Sequence, residues 1–312
     1  MALITIQDFD FTRAASQPAL HLGQWYCRQL ERGHILFFPH IPFELSEEDR
    51  AFLLTQQQAG TGYHKNIAYR PHQDRITGLV KRSREEEERL RALMRTYSRH
   101  VTRFMAVLLP PYASRWRLDY ASFRPQEERG RPLRLRSRND LLHVDAFPTR
   151  PTGGGRILRV FTNIHPTRPR LWVTSETCDV LIERLAGTPG LPLPSPWRRS
   201  VWSCLRHGLA AAGRRAGLPL VRRSPYDAFM LRLHHYLKEH EEYQTSCPKQ
   251  VWAFPPRSTW IVFTDMVTHA VLSGQFALEQ TFIVPHEVLV LPEKSPLRVL
   301  ERLVGASLTA ME

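Results

Sequence analysis

From about residue 117, the sequence breaks into short apolar runs that are separated by proline, glycine or charged residues. Runs of roughly five to eight residues with such boundaries are typical of strands in antiparallel sheets. The runs are RLDYASFRP, DLLHVDAFP, RILRVFTNIHP and RLWVTS, followed later by QVWAFPPRSTWIVFTD, THAVLSG and ALEQTFIVP. The PTGGG sequence at 151–155 predicts a tight turn between two of them. The sequence therefore predicts an antiparallel β core.

Helical patterns occupy the first third of the chain and interrupt the strand-rich region. The longest candidate, residues 83–109, begins acidic, ends basic and repeats apolar residues at helical spacing. Further candidates are residues 22–33, 195–217 and 224–243. Helices, then strands, then a helical insertion and strands again indicate an α+β fold. We interpret the 312 residues as a single domain, with a mostly helical part at 1–115, a β core at 116–290 that contains a helical insertion at about 176–245, and a C-terminal segment at 291–312.

The composition is that of a folded and strongly basic protein. Hydrophobic residues make up 42% of the chain, which excludes a disordered protein. Lysine and arginine (43) outnumber acidic residues (30), giving a formal charge of +13, so nucleic acid, an anionic membrane surface or an acidic substrate is the expected partner. Four dispersed cysteines indicate free thiols in a reducing compartment. Since neither a long apolar run nor a signal-peptide pattern is present, the sequence predicts a cytoplasmic protein.

The segment with the clearest chemistry is NDLLHVDAFPTRPTGGG, at residues 139–155. His143 and Asp145 are two residues apart on a predicted strand, so we expect their side chains on the same face. An imidazole and a carboxylate placed in this way supply two ligands of a 2-His-1-carboxylate site, which binds Fe(II) and leaves other positions open. His269, in the predicted strand THAVLSG, is the best candidate for the third ligand. The helical insertion accounts for the long separation between the ligands.

An H-x-D pair is a weak signal by itself, because a chain with 14 histidines contains such pairs by chance. The alternative is a strand histidine beside a surface aspartate. The strands on both sides and the glycine-rich turn favour the metal site. Competing histidines lie on a predicted helix, where adjacent side chains face different directions, or near the ends of strands; they are His234, His235, His240, His165 and His286.

Two long segments resemble a known family. HVDAFPTRPTGGGRILRVFTNIHP and HAVLSGQFALEQTF are similar to parts of the Kdo hydroxylases, bacterial Fe(II)/2-oxoglutarate dioxygenases that act on the 3-deoxy-D-manno-oct-2-ulosonic acid (Kdo) of the lipopolysaccharide inner core. The resemblance implies a double-stranded β-helix (jelly-roll or cupin-like) core and 2-oxoglutarate and O2 as cosubstrates. It also implies that His143, Asp145 and His269 are the Fe(II) ligands and catalytic residues. The implied reaction is 3-hydroxylation of Kdo attached to lipid A.

The resemblance also leads us to expect a cation shortly after the distal histidine, where it would bind the far carboxylate of 2-oxoglutarate. That region, GQFALEQTF, contains no cation. Arg156 and Arg159 are three residues apart on an earlier predicted strand and point to opposite faces. Because Arg159 shares its face with Asn163, we predict Arg159 as the anchor, through a bidentate guanidinium, and Asn163 as a polar partner. The alternative is an exposed strand arginine.

The implied substrate carries a carboxylate and phosphates and lies in an anionic membrane surface. Arg138, Arg150 and Arg156 are candidate substrate contacts, although each also fits a solvated surface position. The candidate helix at 195–217 combines a Trp and Leu stripe with a basic stripe. This pattern fits an interfacial helix on anionic lipid as well as a core-packed helix with a basic solvated face. The sequence thus predicts peripheral contact with the cytoplasmic face of the inner membrane.

Two rival functions remain open. The same ligand set fits a 2-oxoglutarate hydroxylase of another substrate, such as an amino acid or a nucleic acid. A basic, non-catalytic nucleic-acid-binding protein is the second rival. The chain has no helix-turn-helix, zinc-finger or RNP signature, and its arginines are dispersed. We therefore predict an enzyme with no nucleic-acid partner.

Overall fold

The protein is described by a computed structural model that covers residues 1–7, 9–16, 20–60, 66–80, 83–195 and 221–309. The predicted helix at 195–217 lies outside these residues, apart from its first position, and so does the membrane contact predicted for it.

Two antiparallel sheets form the core of the molecule. The strands are β1 (Leu3–Thr5), β2 (Ile35–Phe38), β3 (Ile67–Arg70), β4 (Arg75–Thr77), β5 (Arg117–Arg124), β6 (Arg156–Asn163), β7 (Arg170–Thr177), β8 (Gln250–Phe254), β9 (Thr259–Phe263), β10 (Val267–Ser273) and β11 (Ala277–Val284). The larger sheet has the order β1-β2-β9-β6-β11-β5-β3-β4, and the smaller has the order β10-β7-β8. All pairings are antiparallel except that of β1 with β2. The predicted antiparallel core is confirmed.

Aromatic side chains join the two sheets. Phe161 and Trp260 of the larger sheet meet Trp172 and Phe254 of the smaller sheet, with ring centroids 4.8 Å apart for Phe161–Trp172 and 4.0 Å for Phe254–Trp260. Trp172, Phe254 and Trp260 are almost completely buried. Two facing sheets with interdigitated inner side chains are the arrangement of a jelly roll.

Helices cover the sheets and occupy the connection between β7 and β8. They are α1 (Phe11–Ser16), α2 (Leu20–Glu31), α3 (Glu47–Leu54), α4 (Arg84–Leu108), α5 (Pro110–Ala113), α6 (Cys178–Leu185), α7 (Pro225–Glu239), α8 (Glu241–Ser246) and α9 (Pro296–Val304). The long helix α4 begins as the sequence predicts, because Ser83 caps its first turn by accepting a hydrogen bond from the Glu86 amide. Its apolar stripe, with Leu90, Met94 and Tyr97, is buried.

The helical insertion leaves the β core after β7 and returns at β8, and these two strands pair directly. Thr174 lies opposite Gln250 in the register, so the segment between the strands starts and ends at neighbouring positions. The predicted helix at 224–243 is divided into α7 and α8 at His240, whose extended backbone ends the first helix and whose ring accepts a hydrogen bond from the Tyr243 amide.

The start of α7 is attached to the glycine-rich turn at 151–155. Ser224 caps α7 and donates a hydrogen bond to Asp227, whose carboxylate accepts hydrogen bonds from the Thr152 and Gly153 amides. Gly153 has a φ of 65°, which favours glycine. This contact fixes the insertion against the turn that follows the predicted ligand segment.

We expect Ser224→Ala to lower the free energy of unfolding by about 1–2 kcal/mol, because the helix loses its cap and a buried carboxylate loses a donor. Urea denaturation followed by circular dichroism measures the change. Ser246→Ala removes a solvent-exposed hydroxyl and should change stability by no more than about 0.5 kcal/mol. Equal effects for the two variants would contradict a specific role of the Ser224 cap.

Candidate active site

His143, Asp145 and His269 come together inside the jelly roll. Their ligand atoms all lie within 4.8 Å of one another, and all three residues are buried. The Nε2 atom of His143 is 3.7 Å from Oδ1 of Asp145, and Nε2 of His269 is 4.0 Å from Oδ2. Two imidazoles and one carboxylate around a common centre form a 2-His-1-carboxylate site.

The segment that carries His143 and Asp145 is not the regular strand that the sequence predicts. It makes a single β-bridge, in which His143 and His269 exchange both backbone hydrogen bonds, at 3.1 and 2.9 Å. On its other side the insertion takes the place of a neighbouring strand. Gln244 bonds to both backbone groups of Leu142, and His234 bonds to the Val144 carbonyl. The ligand segment is therefore held between β10 and the insertion helices.

Backbone carbonyls fix the tautomers of both ligand histidines. Nδ1 of His143 donates to the Leu141 carbonyl at 2.7 Å, and Nδ1 of His269 donates to the Val267 carbonyl at 2.8 Å. Because Nδ1 carries the proton, each Nε2 presents a lone pair toward Asp145, as a metal ligand must. Burial lowers the pKa of both rings, and the nearby charge of Lys238 lowers that of His143 further. Both rings are therefore neutral at neutral pH.

Asp145 shows that the residues present fit a divalent metal ion. Its Oδ2 atom is buried and accepts no well-aligned hydrogen bond from the residues that the structure describes, although Nη1 of Arg159 lies 3.3 Å away as an ion-pair partner. Burial alone would raise the pKa of this carboxyl group, but the positive charge of Arg159 holds it well below its ordinary range. An ionised carboxylate that faces two imidazole lone pairs is a donor set suited to Fe(II).

A buried group of charged residues lies next to Asp145. Arg159 places its Nη1 atom 3.3 Å from Asp145 and 3.1 Å from Glu279. Arg124 binds the other oxygen of Glu279 at 2.5 Å. The two arginines therefore share one carboxylate close to the ligand set. The available sequence signal for Glu279 is that it is a charged residue inside the apolar strand β11, where a solvent-exposed position is not expected.

Two donors near the ligands are buried and have no hydrogen-bond partner among the residues that the structure describes. They are Nε of Arg159 and the indole Nε1 of Trp172. The Trp172 ring stacks on His269, with centroids 5.2 Å apart and an interplanar angle of 17°. Unpaired donors in the interior are uncommon, and here they lie beside the residues that suit a metal ion.

Comparisons with known proteins agree with this geometry. A family model described as 3-deoxy-D-manno-oct-2-ulosonic acid (Kdo) hydroxylase matches residues 13–307. The chain belongs to the Kdo hydroxylase family. A comparison with curated proteins gives no match.

Solved structures of the Kdo hydroxylase KdoO, described as a non-heme Fe(II) α-ketoglutarate-dependent dioxygenase, are similar to this chain over its full length. The cobalt(II) complex is 37% identical, covers 99% of this chain and 98% of that one, and gives a TM-score of 0.83. The complex with α-ketoglutarate and Fe(III) is 36% identical, with coverages of 99% and 97% and a TM-score of 0.81. The apo structure is 36% identical, with full coverage of both chains and a TM-score of 0.83. The predicted family and jelly-roll fold are confirmed.

Two residues predicted for the site lie outside it in this Kdo hydroxylase fold. Arg156 has no exposed surface and donates from Nε to Asp265 at 2.7 Å, on the face of β6 opposite Arg159. Its predicted substrate contact does not fit this position. The Asn163 amide donates to the carbonyls of Arg168 and Phe254 and accepts from the His165 amide. The Asn163 side chain therefore bonds to the loop after β6 and to β8, and not to Arg159 as predicted.

The other two arginines occupy different settings in the Kdo hydroxylase fold. Arg150 binds Asp119 at 2.7 Å and lies over the ring of Phe147, 4.6 Å from its centroid. The Arg159 guanidinium lies 5.4 Å from the same centroid. Both arginines therefore contact the ring of Phe147. Arg138 is half-exposed and makes a bidentate pair with Asp140.

His234 is the site histidine that the sequence did not single out. It projects from α7, and its ring meets that of His143 with centroids 5.0 Å apart at 81°. Burial, followed by the charge of Lys238, lowers its pKa to about 3. The available signal was its place on the buried face of α7, with Met230, Leu233 and Leu237. His165 lies in the loop after β6, where its ring accepts hydrogen bonds from the Thr167 and Arg168 amides.

Proposed function

We propose that the chain is an Fe(II)/2-oxoglutarate-dependent dioxygenase that hydroxylates the Kdo sugar of Kdo-lipid A at C3. The observation that carries this proposal is the buried His143–Asp145–His269 cluster, whose ligand atoms lie within 4.8 Å of one another, in a chain that resembles KdoO over its full length. When bound, Fe(II) together with 2-oxoglutarate and O2 supplies the oxidising power that places an oxygen atom in a C–H bond.

The chain's own residues hold the reactants and exclude water. Leu141 and Val267 carbonyls orient the ligand imidazoles, so their lone pairs are fixed before any ligand enters. Trp172, stacked on His269, closes one side of the site with apolar surface. The segment between β10 and the insertion keeps Asp145 buried. Such preorganisation lowers the cost of ordering the reactants.

Arg159 is the proposed anchor for the distal carboxylate of 2-oxoglutarate. It is 12% exposed at the side chain, lies 3.3 Å from Asp145 and has an unpaired Nε–H donor. A guanidinium binds a carboxylate through two parallel hydrogen bonds. Arg124, which shares Glu279 with Arg159, adds a second positive charge. Because Glu279 and Asp145 offset these two charges, the proposed binding of the dicarboxylate depends on the hydrogen-bond donors of the Arg159 guanidinium.

Arg150 is the proposed contact for the anionic sugar. Its guanidinium lies on Phe147 beside Arg159 and is paired with Asp119. Arg138 is a more distant candidate, because its pair with Asp140 is half-exposed. Both proposals rest on charge complementarity with the Kdo carboxylate.

The function is tested by incubating the protein with Fe(II), 2-oxoglutarate, O2 and Kdo-lipid A. We expect one hydroxylated product for each 2-oxoglutarate converted to succinate, with mass spectrometry locating the added oxygen on the Kdo unit. Succinate formation without sugar hydroxylation would support a hydroxylase of another substrate. Salt-dependent DNA binding without succinate formation would instead support the basic binding protein.

A basic groove supports peripheral contact with an anionic membrane. It lies beside α4, has a volume of about 770 Å³ and is lined by Arg95, Arg99 and Arg103 with an apolar floor that includes Leu118. Arg95 is held by Asp74, whereas Arg99 is exposed and makes no ion pair among the residues that the structure describes. The hydroxyl of Ser98, in the same groove, is buried and has no hydrogen-bond partner in the described part of the chain.

Arginines around an apolar floor suit a phosphorylated lipid headgroup. The groove therefore supports the proposal that the enzyme acts at the cytoplasmic face of the inner membrane. Among the described residues, no helix combines the length and apolar character needed to cross a bilayer.

We expect the double variant Arg99→Gln/Arg103→Gln to bind vesicles of anionic phospholipid roughly 30-fold more weakly, because each basic residue near the surface contributes about 1 kcal/mol. Co-sedimentation with vesicles of stated anionic content measures the change. Arg298→Gln/Arg302→Gln on α9 removes the same charge elsewhere and serves as the control. Equal losses in the two variants would show a general charge effect and exclude the groove.

A further inference from the structure

We infer that the His234 Nε2 atom accepts a hydrogen bond from a hydroxyl group of the carbohydrate substrate, which makes His234 a substrate-positioning residue beside the metal ligands. This inference rests on the proposed function and assigns one contact within it. The insertion, and not the jelly roll, supplies the residue.

The first support is the fixed orientation of the ring. Nδ1 of His234 lies 2.7 Å from the Val144 carbonyl oxygen. A carbonyl oxygen only accepts hydrogen bonds, so Nδ1 is the protonated nitrogen. In the neutral ring, Nε2 is then an acceptor. Val144 lies between His143 and Asp145 in the sequence, so the hydrogen bond also ties the ring to the ligand segment.

The second support is the position of His234 next to the ligands without being one of them. Its ring edge meets His143 at a centroid distance of 5.0 Å. The compact ligand group nevertheless contains only His143, Asp145 and His269 among the described residues. Like the two ligand histidines, His234 donates a hydrogen bond from Nδ1 to a backbone carbonyl. Within the part of the chain that the structure describes, Nε2 of His234 has no hydrogen-bond partner.

The third support is the chemistry of the surrounding helix face. His234 lies on the buried side of α7 with Met230, Leu237 and Lys238, and the Lys238 ammonium donates to the Arg136 carbonyl. A ring acceptor beside a metal site suits a ligand that brings its own donor. A sugar hydroxyl is such a donor, whereas 2-oxoglutarate carries only acceptors at neutral pH. His234 Nε2, as an acceptor, can therefore bond to the sugar substrate but not to 2-oxoglutarate.

Three variants test the inference. His234→Gln keeps a hydrogen-bonding group close to the Nε2 position, His234→Asn keeps one close to the Nδ1 position, and His234→Leu removes both. His235→Leu is the matched control, because His235 is the adjacent histidine and faces away from the ligands. Each variant is assayed for the visible band of the Fe(II)–2-oxoglutarate chelate, for the Michaelis constant for Kdo-lipid A, and for hydroxylated product per succinate.

The expected result is a chelate band of normal affinity in all four variants. His234→Leu and His234→Asn should raise the Michaelis constant for Kdo-lipid A roughly threefold to tenfold, as expected for one lost hydrogen bond. They should also lower the yield of product per succinate. His234→Gln should recover much of both losses, and His235→Leu should resemble the wild type.

Two outcomes would overturn the inference. If the Asn variant equals the wild type while Leu is defective, the Val144 hydrogen bond is the important one and His234 only holds the ligand segment. If the chelate band weakens in parallel with activity, His234 supports the metal and not the sugar. A wild-type protein that forms the band and succinate but never hydroxylates Kdo-lipid A would contradict the proposed substrate, which the same assay distinguishes from a failure at His234.

Discussion

Replacing His143 with alanine should abolish the Fe(II)–2-oxoglutarate chelate band and reduce turnover by more than about 100-fold. The reason is that loss of even an outer hydrogen-bond partner of a metal ligand costs about 10–100-fold, and a ligand contributes more. Asp145→Ala should have the same effect, since Asp145 is the proposed anionic ligand. Anaerobic titration of the apo-protein with Fe(II) and 2-oxoglutarate measures the band directly.

The control for this experiment is His165→Ala. His165 is also a buried histidine, but it lies in the loop after β6 and not in the ligand group. It should retain the band, and circular dichroism should show both proteins folded. A folded His143→Ala protein that keeps the band at wild-type affinity would contradict the assignment of this residue as a ligand.

The second large effect is expected at Arg159. Arg159→Met should weaken the binding of 2-oxoglutarate about 30-fold or more, because truncating one partner of a buried, hydrogen-bonded charge pair costs at least about 2 kcal/mol. Metal affinity without 2-oxoglutarate should change much less. Isothermal titration of the Co(II)-loaded protein with 2-oxoglutarate separates cosubstrate binding from metal binding.

Arg168→Met provides the comparison, because this arginine is 57% exposed at the side chain and lies in a loop. It should bind 2-oxoglutarate normally. If Arg159→Met instead loses metal affinity and stability but binds 2-oxoglutarate like the wild type, Arg159 serves only as the ionic partner of Asp145 and Glu279. The anchor would then have to be Arg124.

The proximity of His143 and Asp145 could be predicted because it is local in the sequence. His143 and Asp145 are separated by two residues, and that spacing places both on one side of any extended backbone, even though the segment forms only one β-bridge. The opposite directions of Arg156 and Arg159 followed from the same alternation and are confirmed by their partners, Asp265 and Asp145.

What the sequence did not show are contacts that depend on how distant elements meet. Glu279 joins Arg124 to Arg159 only because β11 lies between β5 and β6. The alternation of β6 predicted which face of the strand Asn163 and Arg156 occupy, but it could not predict their partners. Those partners come from β8 and from the loop after β9. His234 approaches the ligands because α7 packs against a segment about 90 residues earlier, which helical periodicity alone does not reveal.

The pairing of β7 with β8 has a consequence for how such enzymes diversify. Since the insertion departs and returns at opposed positions, Thr174 and Gln250, it behaves as an oversized hairpin loop, and doubling its length costs only about 0.6 kcal/mol of closure entropy. Mutation can therefore lengthen or shorten the connections within the insertion while every strand of the jelly roll keeps its neighbour. Exchange of the whole insertion would instead remove Gln244 and His234, which bond to the ligand segment, so the insertion and the iron site have to evolve together.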